Sequence, residues 1–247
     1  MSDLQWEQWG KQDPYYGVYS ESRFSRDQIE NHREEFFASG TAMVDLLLDR
    51  ARRYFGPLPT GPVLEFGSGV GRMTIPLARH FGSVVGLDIS QHMIAEAIEN
   101  CKKFDISNAT FVISDDELSR VTGTFDLVLS HIVLQHIEPA RGLKIIDRLL
   151  GRLSPGGIAV LQASVKRPEI GLAAKLRYHI RHDLPWIRAA VNLLRGRGWS
   201  TLSMRMSEYD PVQILQLYQK NGMSDVVVTE HYQGDVLTYH FMAKKLS

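Results

Sequence analysis

Pro62-Val63-Leu64-Glu65-Phe66 leads into Gly67-Ser68-Gly69-Val70-Gly71, after which Met73, Leu77 and Ala78 fall at helical spacing. A short apolar run, a glycine-rich turn and a helical period read as strand, turn and helix. Asp88 closes the next apolar run, Val84-Val85-Gly86-Leu87-Asp88, 21 residues after Gly67. Glycines in such a turn let the backbone approach a ligand closely. An acid at this separation can accept hydrogen bonds from both hydroxyls of a ribose. The pattern is that of a nucleoside site.

Charge narrows the choice of nucleoside. In a dinucleotide fingerprint the glycines are spaced G-x-G-x-x-G and a pyrophosphate rests on the helix N-terminus. Here the spacing is G-x-G-x-G, with Glu65 just ahead of it. A carboxylate beside that turn repels a diphosphate and attracts an ammonium. S-adenosylmethionine offers an adenosine for Asp88, and an α-amino group and a sulfonium where a dinucleotide has phosphates. Glu65 suits it directly or through water.

Working outward, Met93, Ile94, Ala97 and Ile98 share one face of a helix that starts from Ser90. Thr110 to Ile113 and Phe125 to Ser130 read as strands, the second apolar enough to be covered on both faces. Leu143, Ile146, Leu149, Leu150 and Leu153 mark a helix stopped by Pro155-Gly156-Gly157, and Ile158 to Ala163 is a fifth strand. Asp210-Pro211 and Asn221-Gly222 bracket a further helix. Val226 to Thr229 and Val236 to Ala243 close the chain as an antiparallel hairpin around Gln233-Gly234. Strands alternating with helices predict an α/β fold on a mostly parallel sheet.

Four ordered segments resemble motifs of the class I S-adenosylmethionine-dependent methyltransferases, in their small-molecule branch. Val63 to Gly71 is similar to the family's first motif, and Val85-Gly86-Leu87-Asp88-Ile89-Ser90 to the acidic motif that follows. Phe125 to Ser130 with Val133-Leu134-Gln135-His136-Ile137 resembles the fourth, and Leu153-Ser154-Pro155-Gly156-Gly157 the turn before the fifth strand. The resemblance implies a Rossmann-like seven-stranded sheet with helices on both faces. It also implies that Gly67, Gly69 and Gly71 back the methionine part of the cofactor and that Asp88 holds the ribose, with Glu65, Ser68 and Ile89 as further cofactor-binding candidates. Asp115 or Asp116 would lie beside the adenine amino group, the run Asp115-Asp116-Glu117 leaving the choice open. Ser130 would line the methionine side. The Asn-Pro-Pro-Tyr type motif of DNA-adenine and protein-glutamine enzymes is absent.

Methyl transfer to a hydroxyl oxygen needs a group that removes the acceptor's proton, and an imidazole is suited to it. His136 and His131 are the candidates, His136 the stronger; its alternative role is to cap the helix that begins near Glu138-Pro139. Ser130-His131 stand where a metal-assisted enzyme would have acids or amides, so no catalytic metal is expected.

The front of the chain clusters Trp6, Trp9, Tyr15, Tyr16 and Tyr19 ahead of two helical stretches, Arg26 to Ala38 and Thr41 to Tyr54. This reads as a flap packed over something. Asp13-Pro14-Tyr15-Tyr16-Gly17 resembles an N-terminal segment of some small-molecule members of the family, which implies that the flap closes over the cofactor with one tyrosine, Tyr16 the candidate, on its methionine moiety; the alternative is that these aromatics pack on the helices of residues 26–54. Residues 166–199 hold eight Lys and Arg against Glu169 and Asp183, within a chain whose formal charge is zero. Two apolar stripes in this stretch predict a helical insertion before the last two strands, a substrate cap whose basic face could meet an anionic acceptor or an anionic membrane surface. The alternative is a solvated face with its stripe buried on the body or in a dimer.

The expected organisation is therefore a flap and helices over 1–60, a cofactor-binding core over 61–165, the basic insertion over 166–210, and a helix and hairpin over 211–247. Composition fits: 247 residues, 44% hydrophobic and 23% charged, argue against disorder and against a generic nucleic-acid binder. One cysteine, Cys101, no run of the ~18–20 apolar residues a membrane span needs, and a polar, acid-bearing start point to a cytoplasmic protein, monomeric or homodimeric. The leading reading is a methyltransferase for a small-molecule or glycan acceptor at oxygen. Alternatives are an N-methyltransferase of a small amine, a NAD(P)-dependent oxidoreductase and a non-catalytic cofactor-binding subunit.

Overall fold

The computed structural model describes residues 3–165, 206–233 and 236–246. Seven strands form one sheet: β1 Pro62–Phe66, β2 Ser83–Asp88, β3 Ala109–Ile113, β4 Phe125–Ser130, β5 Leu153–Ala163, β6 Val227–Gln233 and β7 Val236–Lys244. Their order is β3-β2-β1-β4-β5-β7-β6. The first five run parallel, and β7 inserts antiparallel between β5 and β6. The expected α/β sheet and closing hairpin are both present.

Alternation along each strand sorts side chains between two cores. Leu64, Phe66, Val128, Ala159 and Leu161 face helices α6 (Pro139–Gly151) and α7 (Pro211–Lys220), through Ile145, Ile146, Leu149, Ile214 and Tyr218. Val63, Leu127, Leu129, Ile158 and Val160 face the other side, where α3 (Ile29–Phe55) and α4 (Thr74–His80) bring Val44, Leu47, Leu48, Ala51 and Leu77. Helix α5 (Gln91–Lys103) joins β2 to β3, with the Ser90 hydroxyl capping its N-terminus by accepting from Met93 N–H. The strand order reverses between β1 and β4, and their carboxyl ends open a crevice.

Three local expectations are corrected. Helix α3 runs unbroken through Ser39-Gly40 instead of dividing there. Gly40 is a packing glycine: a Cβ on it would come within 2.1 Å of the Arg72 carbonyl oxygen. Strand β5 begins at Leu153, so Pro155-Gly156-Gly157 lies inside it as an irregularity, where pairing shifts from Phe125↔Leu153 to Leu127↔Ile158. The helix after β4 is capped by Glu138, whose carboxylate accepts from Arg141 N–H, and not by His136. The insertion expected over 166–210 lies, as far as residue 205, outside the described residues.

The front forms α1 (Asp3–Gln12), α2 (Pro14–Val18) and a short 3-10 turn (Ser22–Phe24). Trp9, Tyr15, Phe24, Phe36 and Phe37 pack with Val70, Ile75 and Met93, which fixes this segment on the glycine turn and α5. The Tyr15 hydroxyl reaches Glu96 at 2.5 Å and Asn100 at 3.0 Å and accepts from Arg33.

Candidate active site

The crevice at the ends of β1 and β4 is a cavity open on one side, with about 960 Å³ of space when its open mouth is counted. Its base is the glycine turn. Gly67, Gly69 and Gly71 have φ of +79°, +53° and +85°, a region that costs an ordinary L residue. The first two are also pressed by neighbours: a Cβ on Gly67 would meet Val133 and one on Gly69 would meet Val18 of α2, at 2.1 and 2.4 Å. Gly71 does not line the cavity; it faces Ala97 and lets α5 pack close.

Glu65, Ser68, Asp88, Ile89, Asp115 and Asp116 all line the cavity, as the sequence reading expected. Asp88 accepts from Gly69 N–H at 2.8 Å and from Ser90 N–H at 2.9 Å, and burial raises its carboxyl to about 6. The two acids after β3 are already engaged. Asp115 accepts from the backbones of Glu117 and Ser119 and from the Ser119 hydroxyl, bonds that hold it below its usual value. Asp116 accepts from Arg141 Nε and Nη2, and Arg141 also donates to Asp3 of α1 at 2.7 and 3.1 Å.

Other expectations fail. Ser130 is fully buried, donates to the Phe66 carbonyl at 3.0 Å and does not line the cavity, because the end of β4 turns it inward. Tyr16 packs on Trp9 with ring centres 5.7 Å apart and is not in the wall; Asp3, Trp6, Gly17 and Val18 are the parts of the flap that reach it. His136 is buried beneath Trp6 with their rings 5.3 Å apart, and only His131 of the two histidines lines the cavity. Next to His131, Ile132 holds φ of +61°, strained for a β-branched residue, with its N–H fixed on Gln162 Oε1 at 2.5 Å.

The sequence reading missed Arg72. It is 4% exposed, stands in the cavity wall with its guanidinium 5.1 Å over the Tyr19 ring, and donates to Ser39 Oγ at 3.2 Å. Its Nε has no hydrogen-bond partner among the described residues. Burial pulls Arg72 down to about 10 and pushes Glu65 up to about 8. Glu65 accepts from the Thr74 hydroxyl at 2.5 Å, and no ion pair joins it to Arg72 among the described residues. A buried acid and a buried base thus share one cavity without closing on each other.

Residues 63–157 match a protein family described as "Methyltransferase domain". This stretch is similar to that domain over a little more than a third of the chain. Over 128 residues the chain is 30% identical to the 23S rRNA (uracil(1939)-C(5))-methyltransferase of Burkholderia pseudomallei, covering 49% of this chain and 26% of that protein. Over 123 residues it is 30% identical to the demethylmenaquinone methyltransferase of Tropheryma whipplei, covering 50% and 49%. The chain therefore spans from about a quarter to about half of the length of these curated relatives. Magnesium protoporphyrin IX methyltransferase from Synechocystis PCC 6803, solved with bound S-adenosylhomocysteine, superposes with a TM-score of 0.64 at 19% identity, covering 99% of this chain and 100% of that one. That likeness is one of fold. Among the described residues, no helix is long and apolar enough to cross a membrane.

Proposed function

We propose that the chain binds S-adenosylmethionine in this cavity and transfers its methyl group to a small-molecule acceptor, at a hydroxyl oxygen. The observation that carries the reading is the separated pair Glu65 and Arg72. A buried acid and a buried base kept apart form a socket for a zwitterion: the α-ammonium of the cofactor goes to Glu65, which ionises as it binds, and its α-carboxylate to the guanidinium of Arg72. A dinucleotide offers no ammonium for Glu65. In this reading Asp88 takes the ribose hydroxyls, and Asp115 or Asp116 lies at the adenine end.

The transfer is an in-line displacement at the sulfonium carbon, so the protein's part is alignment and exclusion of water. Holding nucleophile, methyl and sulfur in line is worth roughly 7–11 kcal/mol. Trp6 and Val18 from the flap and Val133 and Ile137 beyond β4 wall the site with apolar groups, as such a reaction needs. The relatives act on chemically varied acceptors according to their names, and the small ones set the class proposed here.

The test is incubation with methyl-labelled S-adenosylmethionine and a panel of phenols, quinols and alkanolamines, following S-adenosylhomocysteine. Acceptor-dependent release in the phenol or quinol arm supports oxygen transfer. Release with amines alone would replace it by nitrogen transfer, and no release together with no binding of the cofactor would contradict the reading.

A further inference from the structure

Three histidines from three strands meet beside the cavity. His131 directly follows β4 and lines the cavity, and its Nδ1 lies 3.2 Å from Nε2 of His240 on β7. Their rings are stacked, 16° from parallel with centres 5.3 Å apart. His231 on β6 has its ring 5.3 Å from that of His131 and 5.0 Å from that of His240. The register explains the meeting: Thr229 pairs with His240 and His231 with Thr238, so His231 and His240 are diagonal neighbours on one face of the hairpin.

His131 and His240 are buried and His231 is half-buried. Among the described residues the charged groups acting on them are the cations Arg72 and Arg50, and no carboxylate does so. Burial first, then the neighbouring imidazoles and these cations, hold His131 far below its usual value and His240 at about 3. Nδ1 of His240 is buried without a hydrogen-bond partner among the described residues. Buried polar groups without a salt bridge or a full set of partners are costly, and an apolar side chain would fill the same space at less cost. The arrangement makes sense if the pair fixes which nitrogen of His131 carries a proton. Between two neutral imidazoles at 3.2 Å one proton is shared. When it sits on Nδ1 of His131, the Nε2 of that ring carries a free lone pair.

We propose that His131 takes the acceptor's proton and that His240 holds His131 in the form able to do so. This rests on the methyl-transfer reading above. The acceptor oxygen bonds to the methyl carbon as the carbon–sulfur bond breaks, its electron pair going to sulfur. The hydroxyl proton goes to Nε2 of His131, whose Nδ1 proton stays in the bond to Nε2 of His240; the proton on Nε2 leaves to solvent through the open cavity once the product has gone. One proton is released per methyl transferred, which balances the positive charge lost from sulfur.

The experiment reads the ring nitrogens of histidine-labelled protein, saturated with S-adenosylhomocysteine, by NMR near neutral pH. His131 is expected neutral with its proton on Nδ1. His240→Leu removes that preference, whereas His240→Gln keeps it, since the amide oxygen accepts from Nδ1 and the side chain fills similar space. A proton on Nε2 of His131 in the unaltered protein, or an Nδ1 proton indifferent to His240→Leu, overturns the proposal. Calorimetry with S-adenosylhomocysteine on each variant reports an intact cofactor site. Failure of the unaltered protein to bind it counts against the methyltransferase reading and not against the histidine pair. With the panel acceptor that is methylated, His131→Ala lowers kcat about a hundredfold or more and regains part of it with added imidazole; undiminished turnover overturns the assignment.

Discussion

Asp88 reaches back from the end of β2 to the glycine turn, its Oδ2 accepting from Gly69 N–H at 2.8 Å. Its Oδ1 accepts from Ser90 N–H at 2.9 Å, at the start of α5. One carboxylate thus sets both the turn that backs the cofactor and the helix beside it. Asp88→Asn puts an amide N–H in place of one acceptor oxygen. The expected cost is about 1–3 kcal/mol in folding and a ten- to hundredfold weaker cofactor, read by denaturant melts and calorimetry. Unchanged affinity would show that the ribose does not rest on Asp88.

Glu65 supplies a pH dependence with a definite sign. In the empty protein its carboxyl is raised from 4.5 to about 8, so near neutrality the folded chain holds a proton that the unfolded chain has released. Stability of the empty protein therefore falls as pH rises from about 4.5 to about 8, and Glu65→Gln flattens that fall. A bound ammonium favours the ionised carboxylate, so binding releases a proton. The cofactor Kd should tighten by up to about tenfold per pH unit on approaching pH 8 from below. Calorimetry in buffers of different ionisation enthalpy counts the proton; the same count in Glu65→Gln would refute the assignment.

Gly69 and Val18 are in contact, so the flap is packed onto the cofactor turn itself. Gly69→Ala meets both a positive φ and the Val18 methyl, and is expected to cost about 1–3 kcal/mol and to loosen the flap. Pairing it with Val18→Ala should recover the steric part and leave the backbone part. Strict additivity of the two substitutions in thermal melts would mean that flap and turn are not coupled.

Arg141 ties α1 to the adenine end by donating to Asp3 and Asp116 together. The pairs are one-third to half exposed, so Arg141→Met should change stability by less than about 1 kcal/mol. Its effect falls on the lid: faster release of S-adenosylhomocysteine by stopped flow, several-fold, with little change in the association rate. An unchanged release rate would show that α1 does not gate the cavity.

Most of the sheet was legible because each strand is a compact apolar run bounded by glycine, proline or acid, and because Gly67, Gly69 and Asp88 keep a spacing set by one strand, one turn and one helix. The rest depended on contacts distant in sequence. Gly40 read as a break because nothing near it announces the Arg72 carbonyl against which it packs. Ser130 and Tyr16 have suitable side chains in suitable places in the chain, yet the last turn of β4 and the packing on Trp9 direct them away from the cavity. Arg72 follows Gly71 directly and was readable by position. Its burial was not, and burial is what makes it part of the site. His231 and His240 come from a hairpin more than ninety residues beyond His131 and meet it only through the β5–β7 pairing.

The central claim is that Glu65 and Arg72 together hold a zwitterion. Calorimetric titration of S-adenosylhomocysteine against 5′-methylthioadenosine, which keeps the nucleoside and lacks the amino-acid group, tests it most directly. The account predicts a preference of about a hundredfold or more for S-adenosylhomocysteine, equivalent to roughly 2.7 kcal/mol, that collapses in Glu65→Gln and in Arg72→Met. Equal affinity for the two nucleosides, or tight binding of NADH in their place, would contradict it.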